Sequence, residues 1–504
     1  MRLAAVGYFG LAALAIGCGS SGSDGAGSGG EPGTGGMAVG TGGSPMGGTG
    51  GSAATGAVGI GWFEVIEPFP PVVEPGTDPE SITNETVLLG ASLDGSVLVG
   101  GSWMLVMQGV VQQNSMGFSW TREAGISDLG YPGAVPPDTQ QIFPRKVSRD
   151  GSVVVGTSGP GLGVPIFHWT RASGMVDIGN LGGATAITLG DLSADGAVIV
   201  GTSNGKPFRW TAETGIVELG ALSETEQSSG VAVSGDGRVV FGTTSTSTDS
   251  ALFHWTAERG SEAVDAPCGP APGGVSFDGS TVVGLCAIAQ NAAPYLWSEA
   301  GGLRSLGSPP AGYSVEVRFA SAEHGVLVAQ GRGADREDYQ ALRAAEATGF
   351  VALGALPGNP TCHALGGSFD SFFTPRPPMN ADGSVVVGNC LKTDAGTALG
   401  FRWSEANGIV AMRPLPGHTR TRVTSVSPDG IVGGTSYGDA GAIEGVLWDD
   451  DGEPRSIRAL LATAGVALDG FMVDDVVVIG GGRLVYGAGR DATGAGRAWA
   501  AMLP

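Results

Sequence analysis

Residues 187–220 read ITLGDLSADGAVIVGTSNGKPFRWTAETGIVELG. Four short β-branched or aromatic runs, ITLGDL, AVIVGTS, PFRWT and IVELG, are separated by Gly-bearing or polar turns, which is the signature of consecutive antiparallel strands. The same unit, roughly V-S-x-D-G-x-V-V-V-G-x-S, a gap, F-x-W-T, a Gly and an apolar run ending L-G, recurs along the chain. Its turn glycine falls at Gly95, Gly151, Gly196, Gly237, Gly279, Gly325, Gly383, Gly430 and Gly482. Its Trp falls at Trp120, Trp169, Trp210, Trp255, Trp297, Trp403, Trp448 and Trp499, with Ala344 standing in the sixth unit. Four strands in about 45 residues make one propeller blade. The sequence therefore predicts an all-β chain, a single β-propeller of about nine four-stranded blades. Eight remain possible if the Ala344 unit is degenerate.

The phase of the repeat predicts how the ring closes. The last unit supplies three strands, and GWFEVIEPF from Gly61 has the shape of the fourth. An N-terminal strand completing the final blade removes the open edges along which sheets aggregate. In each S-x-D-G element the Asp closes a turn and the Gly takes a left-handed conformation. The Ser or Asn at this offset before the turn (Ser92, Ser148, Ser193, Ser234, Ser276, Ser321, Asn380, Ser427) is read as a turn-bonding residue, not a nucleophile.

These units resemble the HAF-repeat family of bacterial extracellular proteins. The likeness lies in the D-G turn, the V-V-G strand, the F-x-W strand and the L-G strand, and covers about Thr86 to Trp499. Of the triplet that names the family only Phe persists here, before the Trp, in runs such as GFSW, IFHW and PFRW. The resemblance implies secretion and a repeat scaffold, and no reaction.

Ahead of the repeats, residues 1–17 carry Arg2 and an apolar run of signal-peptide length. Cys18 follows Ala15, Ile16 and Gly17 and looks like the acylated Cys of a lipoprotein, although an ordinary signal peptide carrying a Cys is the alternative. Residues 18–58 are almost wholly Gly, Ser, Thr, Ala and Pro, a composition that cannot offset its chain entropy and serves as a tether. The propeller is assigned to 59–504. The expected address is the outer membrane, facing the cell surface or the periplasm, with the lipid as the one membrane contact and a monomeric state. The net charge of −22 speaks against nucleic acid as a partner.

Two units carry a Cys two residues after the Gly of strand two, Cys286 and Cys390, and another shortly before strand one, Cys268 and Cys362. The expected disulfides are Cys268–Cys286 and Cys362–Cys390, in keeping with an oxidising compartment. No C-x-x-C spacing favours a metal. His168 and His254 occupy the variable F-x-W slot and read as strand residues, while His363 and His418 are placed in inter-blade loops as the histidines to consider for a site. Asp449, Asp450 and Asp451 fall in a turn and lack a calcium loop's downstream ligands. No cofactor, metal or catalytic residue is expected.

The connections from strand one to two and three to four are uniform, and the others vary. Variable loops on a rigid scaffold are where binding usually resides. The candidate ligand face carries Trp103, in a long insertion of the first blade, and Phe369, Phe372 and Phe373, before the seventh. The expected function is a non-enzymatic binding or scaffold propeller for an unknown protein or glycan, with a polysaccharide hydrolase or lyase as the alternative.

Overall fold

The structure is a computed structural model. It describes residues 61–69, 82–106, 113–131, 141–159, 164–183, 186–220, 227–245, 250–264, 269–288, 291–321, 324–333, 339–364, 377–391, 398–479 and 482–504. Cys18 and the tether lie outside the described residues. Nine antiparallel sheets are arranged as a β-propeller. Blade 3 is representative, with strands Ile187–Leu192, Ile199–Ser203, Lys206–Thr211 and Gly215–Glu218 paired in chain order. The unit with Ala344 forms a full four-stranded blade 6. Blade 9 is closed as expected, because Trp62–Ile66 pairs antiparallel with Gly496–Met502.

Two side-chain rules explain the repeat. Within a blade, the strand-two Gly faces the aromatic of strand three, as Gly201 does Phe208 and Gly156 does Phe167. A Cβ on Gly201 would stand 2.1 Å from the Thr188 carbonyl oxygen and 2.9 Å from the Phe208 ring. Blade 6 instead pairs Ala329 with Leu342, a larger residue opposite a smaller one. Close packing of a fixed volume accounts for the exchange.

Between blades, the Trp faces the preceding blade and the middle residue of F-x-W faces the next. His168 of blade 2 lies 4.8 Å from Trp210 of blade 3, and His254 of blade 4 lies 5.4 Å from Trp297 of blade 5. Arg209 stands 6.0 Å from Trp255 and Arg343 stands 5.7 Å from Trp403, each in the following blade. Where the ring is missing the slot is aliphatic, and Leu296 packs with Ala344. Ala498 of blade 9 shares a cluster with Trp120 of blade 1, so the rule carries round the closure. The slot that looked permissive in sequence is a buried inter-blade contact.

The turns form a second lock. In blade 3, Ser193 Oγ donates to Asp195 Oδ1 at 2.6 Å and accepts from Val198 N at 2.9 Å, and Gly196 has φ +76°. A Cβ on Gly196 would also come within 2.5 Å of Val153 in blade 2, so this glycine answers both a backbone and a packing demand. Gly95 meets Leu484 and Ile479 of blade 9 in the same way. Adjacent turns are bonded through the main chain: Leu93 N donates to the Arg149 carbonyl at 2.8 Å, Arg149 N to Ala194 at 2.8 Å and Ala194 N to Gly235 at 2.9 Å.

The Cys362–Cys390 pairing is as expected, and three features depart from the sequence reading. Cys362 sits within strand one of blade 7, Thr361–Ala364, and is disulfide-bonded to Cys390 directly opposite it on strand two. Cys286 is disulfide-bonded too, and Cys268 lies outside the described residues. The sequence around 365–376 interrupts strand one of blade 7 and does not precede it, since Ala364 pairs with Gly388 and Met379 with Val386. A short helix, Ile457–Thr463, links blades 8 and 9, capped by Ser456 accepting from Ala459 N and burying Ile457 and Leu461. No helix among the described residues is long and apolar enough to cross a membrane.

Candidate binding face and central channel

Sequential antiparallel pairing places the one-to-two and three-to-four turns on one face and the remaining connections on the other. The first face is regular: residues 122–124, 171–173, 212–214 and 257–259 are turns of equal length. The second is irregular. Its connection in blade 3 is a tight turn with Asn204 at φ +48° and Gly205 at φ +75°, whereas residues 457–471 contain the helix between blades 8 and 9. Asp449, Asp450 and Asp451 lie on the regular face, where Asp449 pairs with Arg455 at 3.0 Å and Asp451 Oδ1 accepts from Glu453 N at 3.0 Å.

The first strand of each blade lines the axis, and packed neighbours such as Ile82–Ala91 beside Ile142–Val147 form its wall. A register shift interrupts most of these strands at an equivalent level, for example between Pro144 and Lys146, Leu189 and Asp191, and Val423 and Ser425. A bulge leaves main-chain groups unpaired on an edge that has no further strand. Side chains of the preceding blade reach across to such edges. Gln330 accepts from Ala364 N at 3.1 Å and donates to the Cys362 carbonyl at 3.3 Å. Asn389 accepts from Val423 N at 2.8 Å and donates to its carbonyl at 3.0 Å.

Two sets of charged groups stand out on or beside the innermost strands. Lys146 Nζ lies 2.7 Å from Asp191 Oδ1 across blades 2 and 3, both largely buried. Asp474 holds Arg490 in a two-point pair at 2.7 and 2.8 Å. These carboxylates are thus each engaged by a cation. Arg145, Arg332 and Arg420 are different. All three are exposed, and each guanidinium lies over an aromatic ring, Phe143 at 5.4 Å, Tyr339 at 5.6 Å and Tyr437 at 5.6 Å. Among the described residues no carboxylate pairs with them. Arg145 is open to solvent, yet burial by surrounding protein pulls its pKa below the ordinary arginine value. Arg145 and Arg420 lie on innermost strands, Ile142–Val147 and His418–Val426, whereas Arg332 ends strand two of blade 6, Val326–Arg332.

The positions singled out from sequence are distributed unevenly. Trp103 lies on the strand Leu98–Val106, opposite Glu85 and Ser115, and not in a loop. The extra length of blade 1 is taken up partly by longer strands. Phe369, Phe372 and Phe373 lie outside the described residues. His363 and His418 are on innermost strands and not between blades: the His363 ring is 4.5 Å from Tyr339, and His418 Nδ1 is 3.0 Å from Ser436 Oγ. Arg145 and Arg420 escaped the sequence reading, because a bulge breaks the alternation from which facing is inferred.

No protein-family model matches the chain, and no curated protein is similar to it in sequence. Among solved structures it is similar to dipeptidyl peptidase 4 of Porphyromonas gingivalis, with TM-score 0.50 and 9% identity over 81% of this chain and 65% of that one. It is also similar to a prolyl endopeptidase (TM-score 0.44, 12% identity, 73% of this chain and 55% of that one). A third is the oligogalacturonate lyase of Vibrio parahaemolyticus (TM-score 0.41, 12% identity, 84% and 98%). The chain thus spans less than two thirds of the length of both peptidases. At these identities the likeness is one of fold, and the chain is a nine-bladed β-propeller.

Proposed function

We propose that this chain is an exported, lipid-anchored binding or scaffold propeller of the cell envelope that takes its ligand on the variable-loop face. One observation carries the reading. The regular face is committed to holding the ring together through turn-to-turn main-chain bonds such as Leu93 N to the Arg149 carbonyl, which leaves the other face free to vary at little structural cost. The disulfide Cys362–Cys390 supports an oxidising, extracytoplasmic setting. The lipid on Cys18 and the outer-membrane address rest on the sequence of residues 1–18 and are tested by metabolic labelling with a fatty-acid analogue, which a Cys18→Ala variant abolishes. The ligand role is tested by titrating the full chain against envelope glycans and surface proteins. Saturable binding is expected. Its complete absence removes the support for this reading, and turnover of a polysaccharide replaces it with the hydrolase or lyase alternative.

A further inference from the structure

We propose that Arg149 and Phe277 form a side-chain strap over the regular-face mouth of the ring, so that a ligand approaches the axis from the variable-loop face. The strap stands on its own observations, while the route of approach deepens the binding reading above and rests on it. Both residues occupy the variable place of S-x-D-G, Arg149 in blade 2 and Phe277 in blade 5. Main-chain bonds join the turns of blades 1 to 5 in order, the last from Asp236 N to the Phe277 carbonyl at 3.0 Å, so these residues rim the mouth. Turns joined in this way stand about 5 Å apart, and nine of them enclose an opening on the order of 14 Å across, backbone to backbone. Arg149 and Phe277 are three steps apart on that rim, yet the guanidinium lies 5.7 Å from the centre of the ring. Side chains reach that distance only by leaning towards each other over blades 3 and 4.

The residues between them are shaped for this. They are small, Ala194 and Gly235, and Phe277 rests on the second, since a Cβ on Gly235 would stand 2.2 Å from Phe277 Cδ2. Gly235 is not one of the left-handed glycines, so its missing side chain answers packing and not the backbone. A guanidinium over the face of a ring is attracted by the ring's quadrupole. Asp94, Asp150, Asp195, Asp236 and Asp278 share these turns, each accepting a turn N–H, and their combined field favours a cation at the centre. Phe277 is 42% exposed, which sets the strap on the solvent side of the mouth.

Thiol labelling reads the strap without any ligand. Ala194→Cys places a thiol beneath the span, in a full chain carrying Cys18→Ala so that acylation plays no part, and the Cys18→Ala chain alone is the blank for the other cysteines. The rate with a polyethylene-glycol maleimide should rise at least about fivefold on adding Arg149→Ala or Phe277→Ala, the worth of one cation–π contact in the opening equilibrium. Gly235→Ala keeps both strap residues but takes the seat of the ring, and should raise the rate too. Arg238→Ala, which removes an exposed cation from the blade-4 turn, should leave it unchanged. Circular dichroism and melting of each variant separate opening of the strap from loss of the fold. A folded Arg149→Ala or Phe277→Ala variant with an unchanged labelling rate overturns the proposal. A glycan or surface protein that binds wild type should bind Arg149→Ala equally, and loss of its binding overturns the route of approach. If no envelope glycan or surface protein binds, the binding reading and the route fall together, and labelling still decides the strap.

Discussion

Replacing Trp210 by Ala tests the inter-blade rule at its most explicit position. Trp210 is 6% exposed and packs with Val153, Val155, Ile166 and Ile178 of blade 2, with the His168 ring 4.8 Å away. Truncation leaves a cavity of up to about 140 Å³, and buried Trp-to-Ala changes of this kind cost about 3 to 5 kcal/mol. With an unfolding entropy of about 2.1 cal/mol/K per residue over some 440 folded residues, that corresponds to a fall in melting temperature of about 4 °C. The structure also names the compensation. Blade 6 carries Ala344 where other blades carry Trp, and blade 5 presents Leu296 to it. His168→Leu combined with Trp210→Ala recreates that pairing between blades 2 and 3. The double variant should recover about 1 kcal/mol or more of the loss, because an aliphatic side chain fills part of the hole and a ring no longer faces it. Calorimetric melting and denaturant titration of wild type, both single variants and the double variant complete the cycle. A Trp210→Ala variant as stable as wild type, or a double variant whose loss is the plain sum of the singles, would refute the pairing rule.

Tyr295 takes the place of Phe in blade 5, its buried hydroxyl has no hydrogen-bond partner among the described residues, and burial pushes the phenol pKa well up. Tyr295→Phe should leave stability unchanged or raise it by about 1 kcal/mol in denaturant titration, since an unsatisfied polar group is removed. Changing both Cys362 and Cys390 to Ser opens a link of sequence separation 28 and should cost about 3 to 4 kcal/mol in the chain-entropy account, read as the same shift that reduction of wild type produces at that bond. Desolvation lowers the pKa values of His168 and His254 in the fold. The unfolded chain therefore binds more protons below about pH 6.5, and stability that is complete above that pH declines as pH falls towards the lowered folded values. Replacing both by Gln should flatten this part of the stability-against-pH curve, and an unchanged slope would show that other groups set it.

Fold and site were legible to different degrees, and the reason is distance along the chain. The turn Ser, Asp and Gly, the Gly opposite an aromatic and the Trp recur at fixed offsets because they act within one blade or on its immediate neighbour. The repeat itself therefore records the strands, the blade and the N-terminal closing strand, and even Ala344 aligns because its neighbours keep their phase. Cys362 and Cys390 were readable for the same reason, although the strand that holds Cys362 was not, since residues 365–376 break its pattern. What only tertiary structure decided is which residues face the axis. Bulges beside Arg145 and Thr424 shift the alternation by one residue, so period-two reasoning misassigns the innermost strands. Whether a cation has a partner likewise depends on a different blade, as Lys146 with Asp191 shows. Local pattern fixed the ring, and long-range placement fixed the charge inside it.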